Sequence, residues 1–211
     1  MLDPAPSPPA PRTRRVAILA FDGVEALDFA GPFEVFTTAS RVHARRRPDD
    51  APPFAVHSVA PRPGPVRARA GLGMLPDHTL DDAPAAELLL VPGGVVDACM
   101  DDARLLRWIA QAHAVTEVTA SVCTGAFVLA QAGVLASGPC TTHWEDVADL
   151  RVAFPGLEVD GTRRWVEQGR IVTSAGISAG IDMSLHLVAR LAGRALAEAT
   201  ARQMDYRWTE A

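Results

Sequence analysis

The chain has 211 residues, of which 48% are hydrophobic, and a formal net charge of −5. This length suits a single domain that buries about 70% of its unfolded surface, and the apolar content excludes a disordered chain. The acidic balance argues against a nucleic-acid surface. No apolar run approaches the roughly 20 residues of a membrane span, and the N-terminus lacks a signal-peptide pattern. We therefore expect a cytoplasmic protein that binds neither nucleic acid nor membranes.

Cysteine usage points to free thiols. The three cysteines, Cys99, Cys123 and Cys140, cannot all pair with one another, and their spacing fits no zinc pattern. Free thiols are typical of a reducing compartment. The sequence therefore predicts neither a metal site nor a cofactor.

The first third of the chain divides into a tail, a strand, a helix and a loop. Residues 1–14 are rich in proline and predict a disordered tail, so the domain is expected at 15–208. The continuous apolar run Arg15–Phe21 is typical of a strand that is buried on both faces of a parallel sheet. A helix is predicted at Leu27–Ser40, and the arginine-rich segment 41–53 is expected to be a solvated loop.

Strands and helices then alternate to the end of the chain. The predicted strands are Phe54–Ala60, short strands within 66–80, Glu87–Val91, Thr116–Val122, Cys140–Trp144 and two strands within 158–174. The predicted helices are Asp101–Ala114, Thr124–Ala132, Glu145–Phe154, 178–192 and 195–207. This alternation favours an α/β fold, a mostly parallel sheet with helices on both faces in three layers.

Polar and small residues follow several of the predicted strands directly. Asp28, Gly93–Gly94, Cys123 and His143 all lie just beyond strand ends, and the glycine-rich segment 174–180 predicts close backbone packing near them. Because sites in parallel α/β sheets lie at the carboxyl ends of the strands, these residues are expected to converge on one site.

Cys123 is the centre of that predicted site. The sequence Ser121–Gly125 has small residues around the cysteine between a strand and a helix, which matches a nucleophile elbow. The amino end of the following helix is expected to lower the pKa of the thiol. The amide of Thr124 and an amide of the Gly93–Gly94 turn are expected to face a developing oxyanion. The alternative interpretation is a buried and inert cysteine.

Two further side chains are candidates for proton transfer. Asp28 suits a proton donor and acceptor near the sulfur, with a helix N-cap as the alternative interpretation. His143 suits polarisation of a substrate or pairing with the thiolate, with a histidine bonded to the backbone as the alternative. Glu145 and Asp146 are weak partners by position, so the sequence predicts no Cys-His-acid triad.

Taken together, these motifs resemble the ThiJ/PfpI superfamily, which has a flavodoxin-like fold related to class I glutamine amidotransferases. The motifs are most similar to those of isonitrile hydratases and of the amidotransferase-like domain of AraC-type regulators. The segments that carry the resemblance are Val16–Phe36, LLLVPGG (88–94), SVCTGA (121–126), TTHW (141–144) and SAGISAGID (174–182).

The resemblance implies a role for each candidate residue. Cys123 matches the nucleophile, Asp28 the acid that hydrogen-bonds it, Thr124 the threonine beside the nucleophile, Gly93–Gly94 the oxyanion loop, and His143 the histidine near the pocket. It also implies a homodimer that acts on a small electrophilic molecule. The arginine-rich segment 41–53 and the short C-terminus at 206–208 depart from the family pattern and put the pocket and the dimer contact in question.

Three functional hypotheses follow from the resemblance. The first is the Cys123-dependent hydration of an isonitrile to an N-substituted formamide. The second is another reaction at the same thiol, of the glyoxalase or amidase type. The third is a non-catalytic domain that senses a ligand or a redox change. Too few residues follow Gly180 for the helix-turn-helix module of the regulators, so DNA binding is not expected.

Overall fold

The computed structural model describes residues 12–210. Its strands are β1 (Arg14–Leu19), β2 (Phe54–Ala60), β3 (Val66–Arg67), β4 (Gly73–Met74), β5 (His78–Thr79), β6 (Leu88–Val91), β7 (Val118–Val122), β8 (Gly138–Cys140), β9 (Leu157–Val159), β10 (Trp165–Gln168) and β11 (Ile171–Ser174). Its helices are α1 (Ala26–Arg46), α2 (Asp97–Asp101), α3 (Ala103–Val115), α4 (Gly125–Gln131), α5 (Val147–Ala153), α6 (Ala179–Ala192) and α7 (Arg194–Gln203), with a 3₁₀ turn at Trp144–Asp146.

Seven strands form the main sheet in the order β10-β11-β7-β6-β1-β2-β5. Every neighbouring pair in it is parallel except β10 and β11, which are antiparallel. The prediction of a mostly parallel sheet is therefore confirmed. The carboxyl ends of β1, β6 and β7 lie side by side at the middle of one edge, where the predicted site residues follow them.

Helices cover both faces of this sheet. Helices α1, α6 and α7 pack against one another on one face, and α2, α3 and α4 pack together on the other. The residues of β1 alternate between the two cores: Val16 and Ile18 belong to the first, Ala17 and Leu19 to the second. Because both faces are buried, the strand is apolar at every position, as its sequence predicted. The three-layer α/β fold is confirmed.

The arginine-rich segment differs from the prediction. Helix α1 continues to Arg46, so only residues 47–53 form the loop that was expected at 41–53. Val42 is buried against the core, while Arg41 bonds Glu34 at 3.2 Å on the outer face. The high density of arginine concealed an amphipathic turn, in which one apolar residue packs inward and the charges face outward.

Three smaller boundaries also differ. Helix α7 ends at Gln203 rather than at 207, and the strand predicted at Cys140–Trp144 is β8, which ends at Cys140. The two strands predicted within 158–174 are present as β10 and β11, and a third, β9, precedes them at Leu157–Val159. Residues 1–11 of the predicted tail lie outside the described residues, and Arg14 already belongs to β1. Within 12–210, none of the helices combines the length and the apolar character needed to cross a membrane.

Candidate active site

Cys123 occupies the sharp turn between β7 and α4. Its backbone φ is +56°, in the left-handed region that costs a non-glycine residue about 1–3 kcal/mol. Two hydrogen bonds hold the turn: the Cys123 amide donates to the Ser174 carbonyl at 3.1 Å, and the Thr142 hydroxyl donates to the Cys123 carbonyl at 2.8 Å. The predicted strand–turn–helix is present, and its conformation is fixed by residues from two other segments.

The loop after β6 packs directly against this turn. A Cβ on Gly93 would lie 2.6 Å from the Thr124 amide nitrogen and 2.8 Å from the Cys123 Cβ. Gly94 has a φ of +135°, which side-chain-bearing residues rarely adopt. Glycine is therefore required at both positions, at Gly93 for the close approach and at Gly94 for the backbone conformation.

The amides of this loop are not free for an oxyanion, which corrects the sequence prediction. The Gly93 amide donates to Asp28 Oδ2 at 3.1 Å, and the Gly94 amide donates to Thr124 Oγ1 at 2.9 Å. Both glycines therefore position the neighbours of Cys123. The Thr124 amide instead hydrogen-bonds the Cys123 sulfur and lowers the pKa of the thiol, whereas burial and nearby carboxylates raise that pKa.

Asp28 lies in the first turn of α1 and is completely buried. Burial, and to a smaller extent the nearby charge of Glu25, raises the pKa of its carboxyl from 3.8 to about 6. Hydrogen bonds with the Gly93 amide, the Cys123 thiol and the Ile177 amide lower this pKa but do not outweigh burial. Oδ1 has no hydrogen-bond partner within residues 12–210. Asp28 is not the N-cap, which is Glu25, so the structural alternative does not explain its position.

The thiol of Cys123 is neutral at physiological pH, contrary to the sequence expectation. Burial, followed by the charges of Asp28 and Asp146, raises its pKa to about 12, despite hydrogen bonds from Thr124 that lower it. The residue is 8% exposed, so the helix end after the turn does not compensate for lost hydration. At neutral pH the pair therefore consists of a thiol and a largely ionised carboxylate.

His143 enters the site from the segment after β8, and its side chain is 17% exposed. Its Nδ1 lies 3.4 Å from Asp146 Oδ2, 3.7 Å from Glu145 Oε2 and 3.4 Å from the Glu145 amide nitrogen. A proton on Nδ1 would donate to Asp146, whereas the other tautomer would accept from the amide. The sequence judged Asp146 a weak partner, but the 3₁₀ turn places it beside the imidazole.

A cavity of about 380 Å³ joins these groups. Cys123, Thr124, Gly94 and His143 line it, whereas Asp28 and Gly93 lie behind its wall. Other lining residues come from loops and short helices that the sequence did not single out, among them Glu25, Arg69, Val95, Met100 and Phe127. Their sequence carries no signal, because loop side chains follow no periodicity.

Ile177 is a second strained residue at this cavity. It has a φ of +50°, which is rare for a β-branched side chain, and it is 40% exposed. Its neighbour Gly176 packs so closely against the His143 ring that a Cβ there would overlap it. The close packing predicted for segment 174–180 is confirmed. Among residues 12–210, no three His, Cys, Asp or Glu side chains are grouped as a metal site would need.

The model of the DJ-1/PfpI family matches residues 14–190. The chain belongs to this family. The membership that the motifs indicated is therefore confirmed, and the strand order, the turn at Cys123 and the cavity described above are this member's version of the family fold.

The relatives that the chain resembles include both an enzyme and transcriptional regulators. The chain is 33% identical to isonitrile hydratase of Pseudomonas putida, over 91% of this chain and 78% of that protein. It is 30% identical to the HTH-type transcriptional regulator GbdR of Pseudomonas aeruginosa, over 94% of this chain and only 53% of the regulator. The chain thus spans about half the length of the regulators it matches.

Solved structures agree on the architecture. A ThiJ/PfpI family protein from Pseudomonas syringae superposes with a TM-score of 0.81 at 28% identity, covering 100% of this chain and 83% of that one. Drosophila melanogaster DJ-1beta superposes with a TM-score of 0.78 at 17% identity, covering 93% of this chain and 100% of that one. The second likeness concerns the fold alone.

Proposed function

We propose that this protein is an isonitrile hydratase-like enzyme that adds water to R–N≡C and releases an N-substituted formamide. The observation that carries the proposal is the pairing of a cavity-lining Cys123 thiol with the buried Asp28 carboxylate. The identity of 33% to isonitrile hydratase of Pseudomonas putida supports the choice of substrate class.

The first half of the reaction joins the substrate to the sulfur. As Cys123 Sγ bonds to the terminal isonitrile carbon, its proton passes to Asp28. Asp28 then protonates the same carbon, which gives a thioimidate, R–N=CH–S–Cys123. A carboxyl with a pKa of about 6 suits both steps, because it accepts and returns a proton readily near neutral pH.

The second half releases the product. Water adds to the thioimidate carbon while Asp28 takes one of its protons and transfers it to the nitrogen, which gives R–NH–CH(OH)–S–Cys123. The hydroxyl proton then returns through Asp28 to the sulfur as the C–S bond breaks and R–NH–CHO leaves. The Thr124 amide stabilises negative charge on the sulfur at the start and at the end.

The direct test is to incubate the purified protein with cyclohexyl isonitrile and to measure N-cyclohexylformamide by liquid chromatography and mass spectrometry. Wild type should form the formamide, and Cys123→Ala should reduce its formation to the uncatalysed rate. Asp28→Asn should lower kcat by about 10²–10⁴-fold, because asparagine cannot accept the thiol proton.

The matched control is Cys140→Ala, which removes another buried thiol outside the cavity. It should retain formamide formation, after allowance for its effect on stability. A wild type without activity, or a Cys123→Ala variant as active as wild type, rules out the proposed reaction.

A second candidate is the hydrolysis of an activated amide through Cys123 and His143. It is favoured by the Nδ1–Asp146 distance of 3.4 Å, which can orient the imidazole as a general base. Release of p-nitroaniline from small acyl anilides separates the two candidates. His143→Asn should abolish amide hydrolysis, whereas isonitrile hydration through Asp28 should fall far less.

A further inference from the structure

The chain turns back after α7, and residues 205–210 then lie against the first turn of α6. Asp205 has a φ of +49°, the left-handed conformation in which many helices end. The Tyr206 amide donates to the Ala201 carbonyl at 2.9 Å. The Asp205 amide donates to the Arg202 carbonyl at 3.2 Å, which completes a Schellman motif. The end of α7 therefore fixes the direction of residues 205–210, which we call the return segment.

Three residues of the return segment bond the first turn of α6. The Trp208 indole donates to the Asp182 carbonyl at 3.2 Å, and the Thr209 amide donates to Asp182 Oδ1 at 2.8 Å. The Tyr206 hydroxyl donates to the Ser178 carbonyl at 3.4 Å. Asp182 is completely buried, and a carboxylate in such a place requires hydrogen bonds of this kind.

Arg164 holds the same turn from the other side, at the position just before β10. Its Nε donates to Asp182 Oδ2 at 2.6 Å, and its Nη2 donates to Ser178 Oγ at 3.3 Å. Its carbonyl accepts a hydrogen bond from the Ala175 amide at 2.8 Å. Since Ala175 and Ser178 lie on either side of Ile177, Arg164 binds both ends of the loop that contains this residue.

This loop carries the strained residue of the site. Ile177 lines the cavity with a φ of +50°, and its amide lowers the pKa of the Asp28 carboxyl. A β-branched residue keeps such a conformation only where its surroundings fix it. The next residue, Ser178, is bonded by Arg164 and by Tyr206. The contacts of the return segment thus end one residue away from a group that acts on Asp28.

We propose that Arg164, Tyr206 and Trp208 are positioning residues of the active site, which fix the first turn of α6 and thereby direct the Ile177 amide at Asp28. The three lie outside the cavity lining and act through the loop. The inference deepens the proposed function, because it names the residues that hold the environment of its base.

The double variant Tyr206→Phe, Trp208→Phe tests the proposal, because it removes both side-chain donors and keeps the aromatic rings and the net charge. The probe is the alkylation of Cys123 by iodoacetamide, followed by peptide mass spectrometry from about pH 5 to about pH 8. In wild type the rate should rise as Asp28 ionises, with a midpoint near its pKa of about 6. Loss of the Ile177 amide should raise this midpoint by about half a pH unit or more, which makes alkylation about threefold slower at pH 5.

The midpoint reports on the Ile177 amide because the other groups that face Asp28 are unchanged in the variant. They are Glu25 on α1, the Gly93 amide after β6 and the Cys123 thiol at the turn before α4. Hydrogen exchange of peptides that cover residues 175–182 measures the loop directly, and it should be faster in the double variant.

Trp108→Phe is the matched control, since it makes the same change in a half-buried tryptophan of α3, on the other face of the sheet. It should keep the wild-type midpoint and the wild-type exchange of residues 175–182. Arg164→Lys is a second test that preserves the positive charge but loses the planar guanidinium that joins Asp182 to Ser178. It should raise the midpoint as well, and it decides the inference if the double variant does not fold.

The outcomes separate the inference from the proposed function. Faster exchange with an unchanged midpoint would mean that the return segment stabilises the fold without acting on Asp28, which overturns the inference. Unchanged exchange and midpoint, or a wild-type profile without a limb near pH 6, overturn it too. Because the alkylation needs no isonitrile, a wild type that forms no formamide rejects the proposed function alone, and the pH profile still decides the inference.

Discussion

Cys123 and Cys140 both lie at the ends of strands and are both buried, yet only one of them is a candidate nucleophile. Cys140 is 0% exposed, and burial alone raises the pKa of its thiol to about 11. Cys123 is 8% exposed, and burial together with the charge of Asp28 raises the pKa of its thiol to about 12. Neither burial nor thiol pKa therefore distinguishes the two.

The difference lies in what surrounds each sulfur. Cys123 has a left-handed backbone, a buried carboxylate behind it and an open cavity before it, whereas Cys140 packs among apolar side chains of one core. A neutral thiol becomes a nucleophile when a base takes its proton during the attack. The candidate nucleophile therefore differs from Cys140 in its partners rather than in a stabilised thiolate.

Alkylation should give the largest contrast between these two sites. With iodoacetamide at pH 8, Cys123 should react on the order of a thousandfold faster than Cys140, because Cys140 reacts only when the core opens. Peptide mass spectrometry after timed quenching measures both rates in one sample. Equal rates would mean that the cavity does not admit small electrophiles, and would contradict the proposed difference between Cys123 and Cys140.

The next largest effect is expected from Gly93→Ala. The new Cβ would displace Thr124 and Cys123, so formamide formation should fall about a hundredfold, the cost of misplacing a reacting group by about 1 Å. Gly133→Ala is the control, since Gly133 has a φ of +71° and open space around its Cα. It should cost about 1–2 kcal/mol of stability and leave the activity per folded molecule unchanged.

Asp28→Asn should stabilise the fold while it removes activity. The carboxyl pKa is raised from 3.8 to about 6 on folding, so the folded state disfavours the ionised form. This penalty is absent below the unfolded pKa, grows as pH rises from about 4 to 6 and stays constant above that range. At pH 8 the variant should gain about 3 kcal/mol in the free energy of unfolding, with little gain near pH 4.

Asp182→Asn is the control that should act in the opposite direction. Asp182 is also completely buried, but it is paired with Arg164 and accepts a hydrogen bond from the Thr209 amide at 2.8 Å. Loss of this pair should destabilise the protein at pH 8. Urea unfolding at several pH values measures both variants, and a destabilised Asp28→Asn at pH 8 would contradict the conclusion that burial disfavours the ionised Asp28 carboxylate.

The elements that the sequence predicts best are those whose residues face a core on both sides. β2 has the predicted bounds Phe54–Ala60, and β6 differs from its prediction by one residue. The end of α1 was missed because Val42 is a single buried residue among arginines, and no window of composition reveals it. The helix stops at Arg46 because Pro48 disfavours a helical conformation at Arg47, a local signal that composition alone does not reveal.

The candidate site was predictable in its location but not in its chemistry. Asp28 and Cys123 follow the ends of β1 and β7, so the parallel topology brings them to one edge, whereas His143 follows β8, which belongs to a separate two-stranded sheet. The partner of the Gly93 amide, the position of Asp146 and the raised thiol pKa depend on loop conformation and on burial, which no motif encodes. The positive φ of Ile177 was equally unpredictable, because the backbone angles of loops arise from tertiary contacts.

The smallest expected effect concerns how the turn is held. Thr142→Val removes the hydroxyl that donates to the Cys123 carbonyl, which should cost about 1 kcal/mol and lower kcat severalfold because the turn relaxes. Thr200→Val is a close control: its hydroxyl donates to the Leu196 carbonyl at 2.8 Å in a buried turn of α7, remote from the cavity. Both variants should lose similar stability in urea unfolding, but only Thr142→Val should lose activity. If the two behave alike in kcat, the hydrogen bond to the Cys123 carbonyl stabilises the fold without positioning the sulfur, and the strained turn is held by the strand and helix themselves.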